Sequence, residues 1–311
     1  MASAPFALDE LDFRILREMF EGQRDFLRPD RVALDEVARS LGVHRNTVST
    51  RVRRLEEQRI YLPMSVAIND PTVGLVGGFA WLPVPAAQRS EATLGALMRV
   101  EGLSNVFLHL DGWHALLHAP DAATLAARLD EAARICRVGE VSMDLDFAHD
   151  FPPAPPAKLS ALEARLLPWL YRDGRAPFAV VAAELGASAR TVEHTYRRLR
   201  DRGVLFQTPG QVRGYPGMAA AYLKATFAPG AAEARGELLK AVPEHFVRMP
   251  SQAAQHLYVY ARSVAELEAM AERARTVPGI AAVRLHVLTR KCANPRFVDW
   301  LAEHLTRRAA V

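Results

Sequence analysis

The sequence predicts an α+β protein made of two tandem copies of one module, each with three helices followed by alternating strands and helices. Three observations lead to this prediction. The segment Leu41–Val48 returns, with substitutions, as Leu185–Val192, 144 positions later. Apolar residues at the start of each copy recur at helical spacing, and strand-like and helix-like segments alternate after them. A stretch with four prolines in six residues, Phe151–Pro156, separates the two copies.

The composition is that of an ordinary globular protein. Of the 311 residues, 50% are hydrophobic and 24% are charged, which is enough apolar material for domain cores. The formal net charge of +4 is only a weak indication of an anionic partner. Two cysteines, Cys136 and Cys292, are too few for a disulfide framework or a zinc ribbon. Because there is no signal-peptide pattern and no apolar run of roughly 20 residues, we expect a cytoplasmic protein without a membrane partner.

Each copy is predicted to open with three amphipathic helices, because its apolar positions follow the helical period. These positions are Leu8, Leu11, Ile15, Met19, Val37, Leu41, Val48, Val52 and Leu55 in the first copy, and Leu159, Leu162, Leu166, Leu170, Val181, Leu185, Val192, Tyr196 and Leu199 in the second. Gly42 and Gly186 fall between the second and third helices, where a tight turn uses a positive φ angle. The β-rich stretches Ile60–Ile68 and Val204–Val212 follow, and each is predicted to form a small hairpin that completes a winged helix-turn-helix in its copy.

The rest of each copy alternates strands with helices. In the first copy we predict strands at 75–84, 103–110, 114–119 and 140–147, and helices at 87–99 and 121–135. In the second copy we predict strands at 218–227, 245–249, 256–261 and 281–289, and helices at 231–241 and 263–275. The order β-α-β-β-α-β is that of a ferredoxin-like domain. The repeat agrees with this assignment, since His114–Leu125 matches His256–Leu267, 142 positions later.

These elements define five predicted segments. Two winged helix-turn-helix units occupy 1–70 and 158–213, and two ferredoxin-like domains occupy 71–150 and 214–311. The segment 151–157 is a predicted stiff linker, because proline fixes φ and removes a backbone donor. Alignment of the two copies places a short insertion near Phe26–Arg31 of the first copy.

A winged helix-turn-helix followed by a ferredoxin-like domain resembles the leucine-responsive and asparagine-synthase regulator family (Lrp/AsnC), here duplicated in one chain. The residues that carry the resemblance are Leu8–Asp12, Leu41–Val43, Thr47–Leu55, Leu185–Gly186, Thr191–Val192 and Arg197–Leu199. The resemblance implies a sequence-specific, DNA-binding transcription regulator that is not an enzyme and carries no cofactor. Such proteins pair through their ferredoxin-like sheets, which implies a pseudo-dimer within the chain or a homo-oligomer.

The third helix of each copy is the predicted contact with double-stranded DNA, because this helix of the motif lies in the major groove. Arginine bonds guanine and asparagine bonds adenine, while serine and threonine reach bases or phosphates. The candidate residues are Arg45, Asn46, Ser49, Thr50, Arg51, Arg53 and Arg54 in the first copy, and Arg190, His194, Thr195, Arg197 and Arg198 in the second. Two unlike helices predict an asymmetric DNA site. The alternative is that these arginines only form solvated helix faces.

A small metabolite is a further predicted partner, because members of the resembled family commonly sense one. The family pattern is a glycine followed three residues later by an aspartate, but here Gly112 is followed by Ala115, which argues against a leucine-like effector. The remaining effector-binding candidates are Gly112, Trp113, His114 and His256. The alternative for both histidines is a buried, hydrogen-bonded position in a strand.

Metal binding and enzyme activity are the other classes that the sequence raises. His109, His114 and His118 lie close together along the chain, but no acid or cysteine partner is visible, so we predict no metal site. An enzyme is the alternative function, because the architecture also resembles siroheme decarboxylases, in which two such units form a tetrapyrrole pocket. The second and third strands of those enzymes carry a Thr-His-Asn-Tyr run. Neither Ser104–Phe107 nor Phe246–Met249 reproduces it.

Overall fold

The computed structural model divides the chain into two units that do not follow the order of the two copies. Residues 1–64 and 209–290 form unit 1, and residues 65–208 and 291–311 form unit 2. Unit 1 therefore contains the three helices of the first copy and the sheet of the second copy. Unit 2 contains the sheet of the first copy and the three helices of the second.

The structure describes residues 8–21, 34–58, 60–62, 65–146, 155–174, 176–208, 211–212, 218–231, 233–251 and 253–309. The insertion predicted near Phe26–Arg31 and residues 151–154 of the predicted linker lie outside these residues. Within the described ranges, no helix is both long enough and apolar enough to cross a membrane.

The helices in chain order are α1 (Glu10–Glu21), α2 (Leu34–Leu41), α3 (Arg45–Glu57), α4 (Glu91–Leu97), α5 (Ala122–Cys136), α6 (Ala161–Arg172), α7 (Phe178–Leu185), α8 (Ala189–Asp201), α9 (Ala234–Ala241), α10 (Val264–Arg275) and α11 (Pro295–Ala309). The strands are β1 (Tyr61–Leu62), β2 (Ser65–Ile68), β3 (Val76–Leu82), β4 (Leu103–His109), β5 (Trp113–Ala119), β6 (Ser142–Asp146), β7 (Leu205–Thr208), β8 (Gln211–Val212), β9 (Ala219–Phe227), β10 (His245–Pro250), β11 (Ala254–Ala261) and β12 (Ile280–Ala293).

Both predicted sets of three helices are present. Val48, Val52 and Leu55 are buried along one side of α3, as their spacing predicts. The His44 side chain caps this helix by accepting a hydrogen bond from the Asn46 amide at 3.2 Å. The glycines before α3 and α8 have φ angles of 66° and 65°, which confirms the two predicted turns.

The predicted wings are wrong in their pairing. Each copy was expected to fold its two short strands into a hairpin, but β1 pairs antiparallel with β8, and β2 pairs antiparallel with β7. Each strand therefore pairs with a strand of the other copy. In unit 2 the reason is burial, because Val66, Ile68 and Leu205 all enter the core that α6 and α8 form. Of the winged helix-turn-helix predicted for each copy, the three helices are thus present, but the hairpin within one copy is not.

Each unit contains an antiparallel sheet whose strand order fits the predicted βαββαβ pattern. The order is β10-β11-β9-β12 in unit 1 and β4-β5-β3-β6 in unit 2. In unit 2, α4 and α5 cover one face of the sheet, where Leu94 and Ala132 pack with Leu117 and Val106. In unit 1, α9 and α10 cover the corresponding face. The mixed α and β class with antiparallel sheets is confirmed.

Helix α11 was not predicted. Phe297, Leu301 and Leu305 are buried in the unit 2 core, and their spacing of four residues is the signal that identifies the helix. Asn294 marks its start, because its side-chain oxygen accepts a hydrogen bond from the Arg296 amide at 3.2 Å. The Asn294 side-chain amide also donates to the carbonyl of Leu103 at 2.8 Å, which ties the start of α11 to β4.

A buried carboxylate connects α6 to α8 in unit 2. Glu163 and Ser160 form a reciprocal cap at the start of α6. The Glu163 carboxylate also accepts hydrogen bonds from Arg198 at 3.1 Å and from Arg202 at 2.8 Å. Burial alone would raise the pKa of Glu163, but the bonds from Ser160 and the two arginine charges outweigh it and hold this pKa below its ordinary value.

We expect Glu163→Gln to lower the free energy of unfolding by about 2 kcal/mol at neutral pH, because the variant loses charged hydrogen bonds. Because the pKa of Glu163 is lower in the folded than in the unfolded state, its contribution is present above the ordinary value of 4.5. The contribution is lost as the pH falls through the folded-state pKa. Urea unfolding across a pH series should therefore show wild type and variant converging in acid.

The control is Glu193→Gln, which removes the exposed pair with Arg197 within α8. Its expected effect is about 0.5 kcal/mol or less. Equal losses in the two variants, or a Glu163→Gln loss that persists in acid, would contradict this account.

Candidate functional site

The predicted DNA-contacting residues of α3 are only partly available. Arg51 donates to Asp9 at 2.6 Å and to Asp12 at 2.9 Å, and Arg54 donates to Asp12 at 2.9 Å. The hydrogen bond that Arg51 donates to Asp9 lowers the pKa of the Asp9 carboxyl and raises the pKa of Arg51. Arg45 lies beside Asp35 at 2.8 Å. Asn46, Thr50 and Arg53 are exposed and Ser49 is half-buried. Carboxylates therefore offset much of the positive charge of this helix.

The candidates on α8 also differ from the prediction. Thr195 was expected to point outward but is only 3% exposed, because it lies on the same side of the helix as Val192 and Leu199. Arg190 and His194 are exposed. The two remaining arginines, Arg197 and Arg198, pair with Glu193 and Glu163.

The predicted effector residues of unit 2 do not all lie on one face of the sheet. Trp113 is buried in the core under α4 and α5, whereas the next residue, His114, points to the opposite face of β5. Gly112 lies where a Cβ atom would come within 2.5 Å of the Trp81 ring, so glycine at this position permits close packing. His256 lies in unit 1. Trp113 and His114 therefore lie on opposite faces of β5.

A hydrogen-bonded chain of three buried side chains lies on the face of the unit 2 sheet away from its helices. Nδ1 of His114 is 2.9 Å from Nε2 of His109, and Nε2 of His114 is 3.1 Å from Oδ2 of Asp144. Strands β4, β5 and β6 each supply one member. We call this chain the Asp144 relay. Its order, carboxylate to imidazole to imidazole, allows a proton to pass along it.

Aromatic rings surround the Asp144 relay. The Phe79 ring is stacked on His114 with ring centres 4.4 Å apart, and Trp81 lies 4.7 Å from the same ring. Phe107 contacts Phe79 edge-on at 5.2 Å. All three rings are buried. The Phe79 and Phe107 rings are inclined by 82° and Trp81 is tilted by 51° to His114, so the rings form an apolar lining around the polar relay.

A second network lies on the same face of the sheet. His118 accepts or donates at both ring nitrogens, with Nδ1 at 2.7 Å from Oδ2 of Asp70 and Nε2 at 3.0 Å from Oγ of Ser104. We call these three residues the Asp70 network. His118 therefore does not join His109 and His114, although their closeness along the chain had made such a group conceivable. Among the described residues, no group of three or more histidine, cysteine or acidic side chains is arranged to hold a metal ion.

In unit 1, His256 occupies the strand position that corresponds to His114. Its Nδ1 is hydrogen-bonded to the Tyr222 hydroxyl, and its Nε2 lies 3.3 Å from Oγ of Ser251. The Tyr222 ring lies beside the imidazole with ring centres 5.6 Å apart. The two copies thus keep a histidine at the same position but give it different partners.

The sequence interpretation missed Asp70, Ser104 and Asp144. A signal was present, since Asp70 and Asp144 stand in otherwise apolar or strand-forming segments, where a buried carboxylate needs a partner. His114 and His118 of β5 are such partners. Without knowledge of the strand order, however, the pairs could not be assigned.

Structure comparison finds a likeness over nearly the whole chain. The siroheme decarboxylase NirDL matches 95% of this chain and 99% of its own, with a TM-score of 0.53 and 16% sequence identity. The same enzyme in co-complex with an iron-uroporphyrin III analogue matches over the same shares with a TM-score of 0.52. This likeness shows a shared fold. AsnC from E. coli matches 42% of this chain with a TM-score of 0.32, which supports no conclusion. No family model and no curated protein matches the sequence.

These findings correct the predicted function. The prediction of a DNA-binding transcription regulator without enzyme activity is wrong, because the structure that matches the chain over its full length is an enzyme. The alternative stated from the sequence, a siroheme-decarboxylase-like protein, agrees better with the comparison.

We expect Gly77→Ala to disrupt the Asp70 network. A Cβ atom at this position would lie 2.1 Å from Oδ2 of Asp70 and 2.8 Å from the carbonyl oxygen of Leu117. The variant should lose about 1–3 kcal/mol of unfolding free energy, because the backbone oxygen cannot move freely. Urea unfolding followed by circular dichroism measures this loss.

Gly95→Ala in α4 is the control, since a Cβ atom there meets nothing within 4 Å. Alanine in a helix interior should stabilise the protein by about 0.5–1 kcal/mol. If the two variants changed stability in the same direction, the packing around Gly77 would not be as described.

Proposed function

We propose that the protein is an enzyme that releases carbon dioxide from a carboxylate side chain of a tetrapyrrole, in the manner of a siroheme decarboxylase. The observation that carries this proposal is the likeness in fold to NirDL, which spans 95% of this chain and 99% of that enzyme. The co-complex of that enzyme with an iron-uroporphyrin III analogue supports a tetrapyrrole as the substrate class.

The reaction requires a proton donor. When carbon dioxide leaves a side chain, its electron pair stays on the adjacent carbon, which must then take up a proton. In net terms, R–CH2–COO⁻ and H⁺ give R–CH3 and CO2. A positioned general acid typically contributes about 100- to 10,000-fold to such a rate.

The Asp144 relay of unit 2 supports this chemistry. When His114 is protonated, both of its ring nitrogens donate, one to Asp144 and the other to Nε2 of His109. His109 then carries its own proton on Nδ1, and we assign the donor role to that atom. Asp144 is a positioning residue that orients His114 and stabilises its positive charge.

The aromatic surface beside the relay also supports a tetrapyrrole substrate. A macrocycle is largely apolar, and aromatic rings such as Phe79, Trp81 and Phe107 supply an apolar lining that suits such a substrate. Surroundings of this kind disfavour a carboxylate relative to neutral carbon dioxide, because they solvate charge poorly. Both properties favour the proposed reaction over DNA recognition at this face.

The chain departs from the siroheme decarboxylase pattern in one respect. It lacks the Thr-His-Asn-Tyr run on its second and third strands, and Ser104–Phe107 stands there instead. Its own histidine on β4 is His109, at the end of the strand. The proposal therefore gives the proton-donor role to His109 and not to a histidine within that run.

The proposal predicts that the purified protein binds siroheme or iron-uroporphyrin III and that the bound tetrapyrrole loses carbon dioxide. Absorption titration measures binding, and mass spectrometry of the extracted tetrapyrrole measures the loss, both under anaerobic reducing conditions. Asp144→Asn and His109→Gln should bind the substrate nearly as wild type does. Their rates should fall by about 100-fold or more, since each interrupts proton supply.

Asp121→Asn is the matched control. Asp121 caps α5 by accepting from the Thr124 amide, and asparagine caps a helix equally well, so its rate should equal that of wild type. Absence of both binding and mass loss in wild type would overturn the proposed function. Unchanged turnover in His109→Gln would leave decarboxylation standing but remove His109 as the donor.

A further inference from the structure

The Asp70 network joins a carboxylate, an imidazole and a serine hydroxyl in the order found around an activated serine. Oδ2 of Asp70 lies 2.7 Å from Nδ1 of His118, and Nε2 of His118 lies 3.0 Å from Oγ of Ser104. All three side chains are buried. A carboxylate that accepts from Nδ1 leaves the lone pair of Nε2 directed at the serine hydroxyl, which makes the imidazole a general base.

The Ser104 hydroxyl lies near the Tyr171 hydroxyl, the Leu116 carbonyl and the His118 ring. The carbonyl oxygen of Leu116 lies 3.2 Å from Oγ of Ser104, slightly farther than Nε2 of His118. The closer acceptor is the histidine, which is also the stronger base. The hydroxyl can therefore lose its proton to His118 without a change in the position of any backbone atom.

The fold does not require this network, because the second copy is built without it. On β5, His118 stands opposite Gly77, and at the matching place of unit 1 Tyr260 stands opposite Ala220. The same pair of strands thus forms with a tyrosine and an alanine. In the first copy, only a glycine at position 77 lets the Asp70 carboxylate reach the imidazole.

Two hydrogen-bond donors lie beside the serine. The Asn105 side-chain amide is 3.4 Å from Oγ of Ser104 and 3.2 Å from the Tyr171 hydroxyl. Burial raises the pKa of Tyr171 to about 12, so its hydroxyl keeps its proton at neutral pH. Donors in this position can stabilise negative charge that develops on an oxygen next to the serine.

The C-terminal helix covers the network. The Phe297 ring of α11 lies 4.7 Å from the His118 ring and 5.0 Å from the Tyr171 ring. Ser104 is only 1% exposed, and Phe297 lies against two of its neighbours, so we expect a change at Phe297 to alter access to the serine. The aromatic cover favours a short apolar group over a charged one.

We propose that Ser104 is the nucleophile of an ester-hydrolysing site for short apolar acyl groups, with His118 as the base, Asp70 as the positioning residue and α11 as the element that controls access. This activity is independent of the proposed tetrapyrrole decarboxylation. Oγ of Ser104 attacks the ester carbonyl, and its proton passes to Nε2 of His118. His118 returns the proton to the departing alkoxide, which leaves as the alcohol. Water then releases the acid from Ser104 by the same transfers in reverse.

The test is covalent labelling of the full-length protein with a fluorophosphonate, followed by intact mass and peptide mapping, with hydrolysis of p-nitrophenyl acetate measured in parallel. We expect one adduct, on Ser104, and none in Ser104→Ala. The labelling rate of His118→Asn should be lower than that of wild type by about 100-fold or more, because the general base is lost. Phe297→Leu should label faster than wild type.

Asp70→Asn separates positioning from a merely structural role. In Asp70→Asn the KM for p-nitrophenyl acetate should stay near the wild-type value while kcat falls by about 100-fold, because the general base is no longer oriented. Ser90→Thr is the control. Ser90 caps α4 through the Thr93 amide, and threonine keeps that cap, so labelling of this variant should equal that of wild type.

Circular dichroism establishes that each variant is folded. Absence of an adduct in both wild type and folded Phe297→Leu would overturn the proposal, and the Asp70 network would then be a structural one. An adduct whose rate does not depend on His118 would overturn it as well. Neither result bears on tetrapyrrole binding, which is measured separately.

Discussion

Pairing of buried ionisable groups is the constraint on which the polar face of unit 2 depends. A buried charge left without a partner costs about 3–5 kcal/mol, so each histidine on this face needs a neighbour that bonds it. His114 has Asp144 from β6, and His118 has Asp70 from the turn before β3. Because these partners come from different elements, the networks exist only when the strands are in their native register.

The same constraint governs the helices of both copies. Asp12 in unit 1 and Glu163 in unit 2 are buried near the start of the first helix of their copy, and each accepts from arginines of the third helix. These bonds fix the packing of the helices. They also engage arginine side chains of the third helices, which therefore have a structural role.

Duplication has left the two copies free to differ. The strand position of His114 keeps a histidine in the second copy, while that of His118 has become Tyr260. Carboxylate-bonded histidines therefore occur on the sheet of the first copy, and both proposed activities draw on that sheet. Since each unit takes its helices from one copy and its sheet from the other, the sequence repeat is not the unit of folding.

The sequence by itself determined the local structure. Spacing of apolar residues identified the three helices of each copy, and glycine identified the turns before α3 and α8. The alternation of strand-like with helix-like segments identified the strands of both sheets. These features depend on residues close together in the chain. Tertiary structure decided the rest: that β1 and β2 pair with strands of the other copy, that Thr195 is buried, and that Asp144 and Asp70 meet His114 and His118. The reason is that strand pairing and burial join residues far apart in sequence, and hydrophobic pattern alone does not specify which strand becomes the neighbour of another.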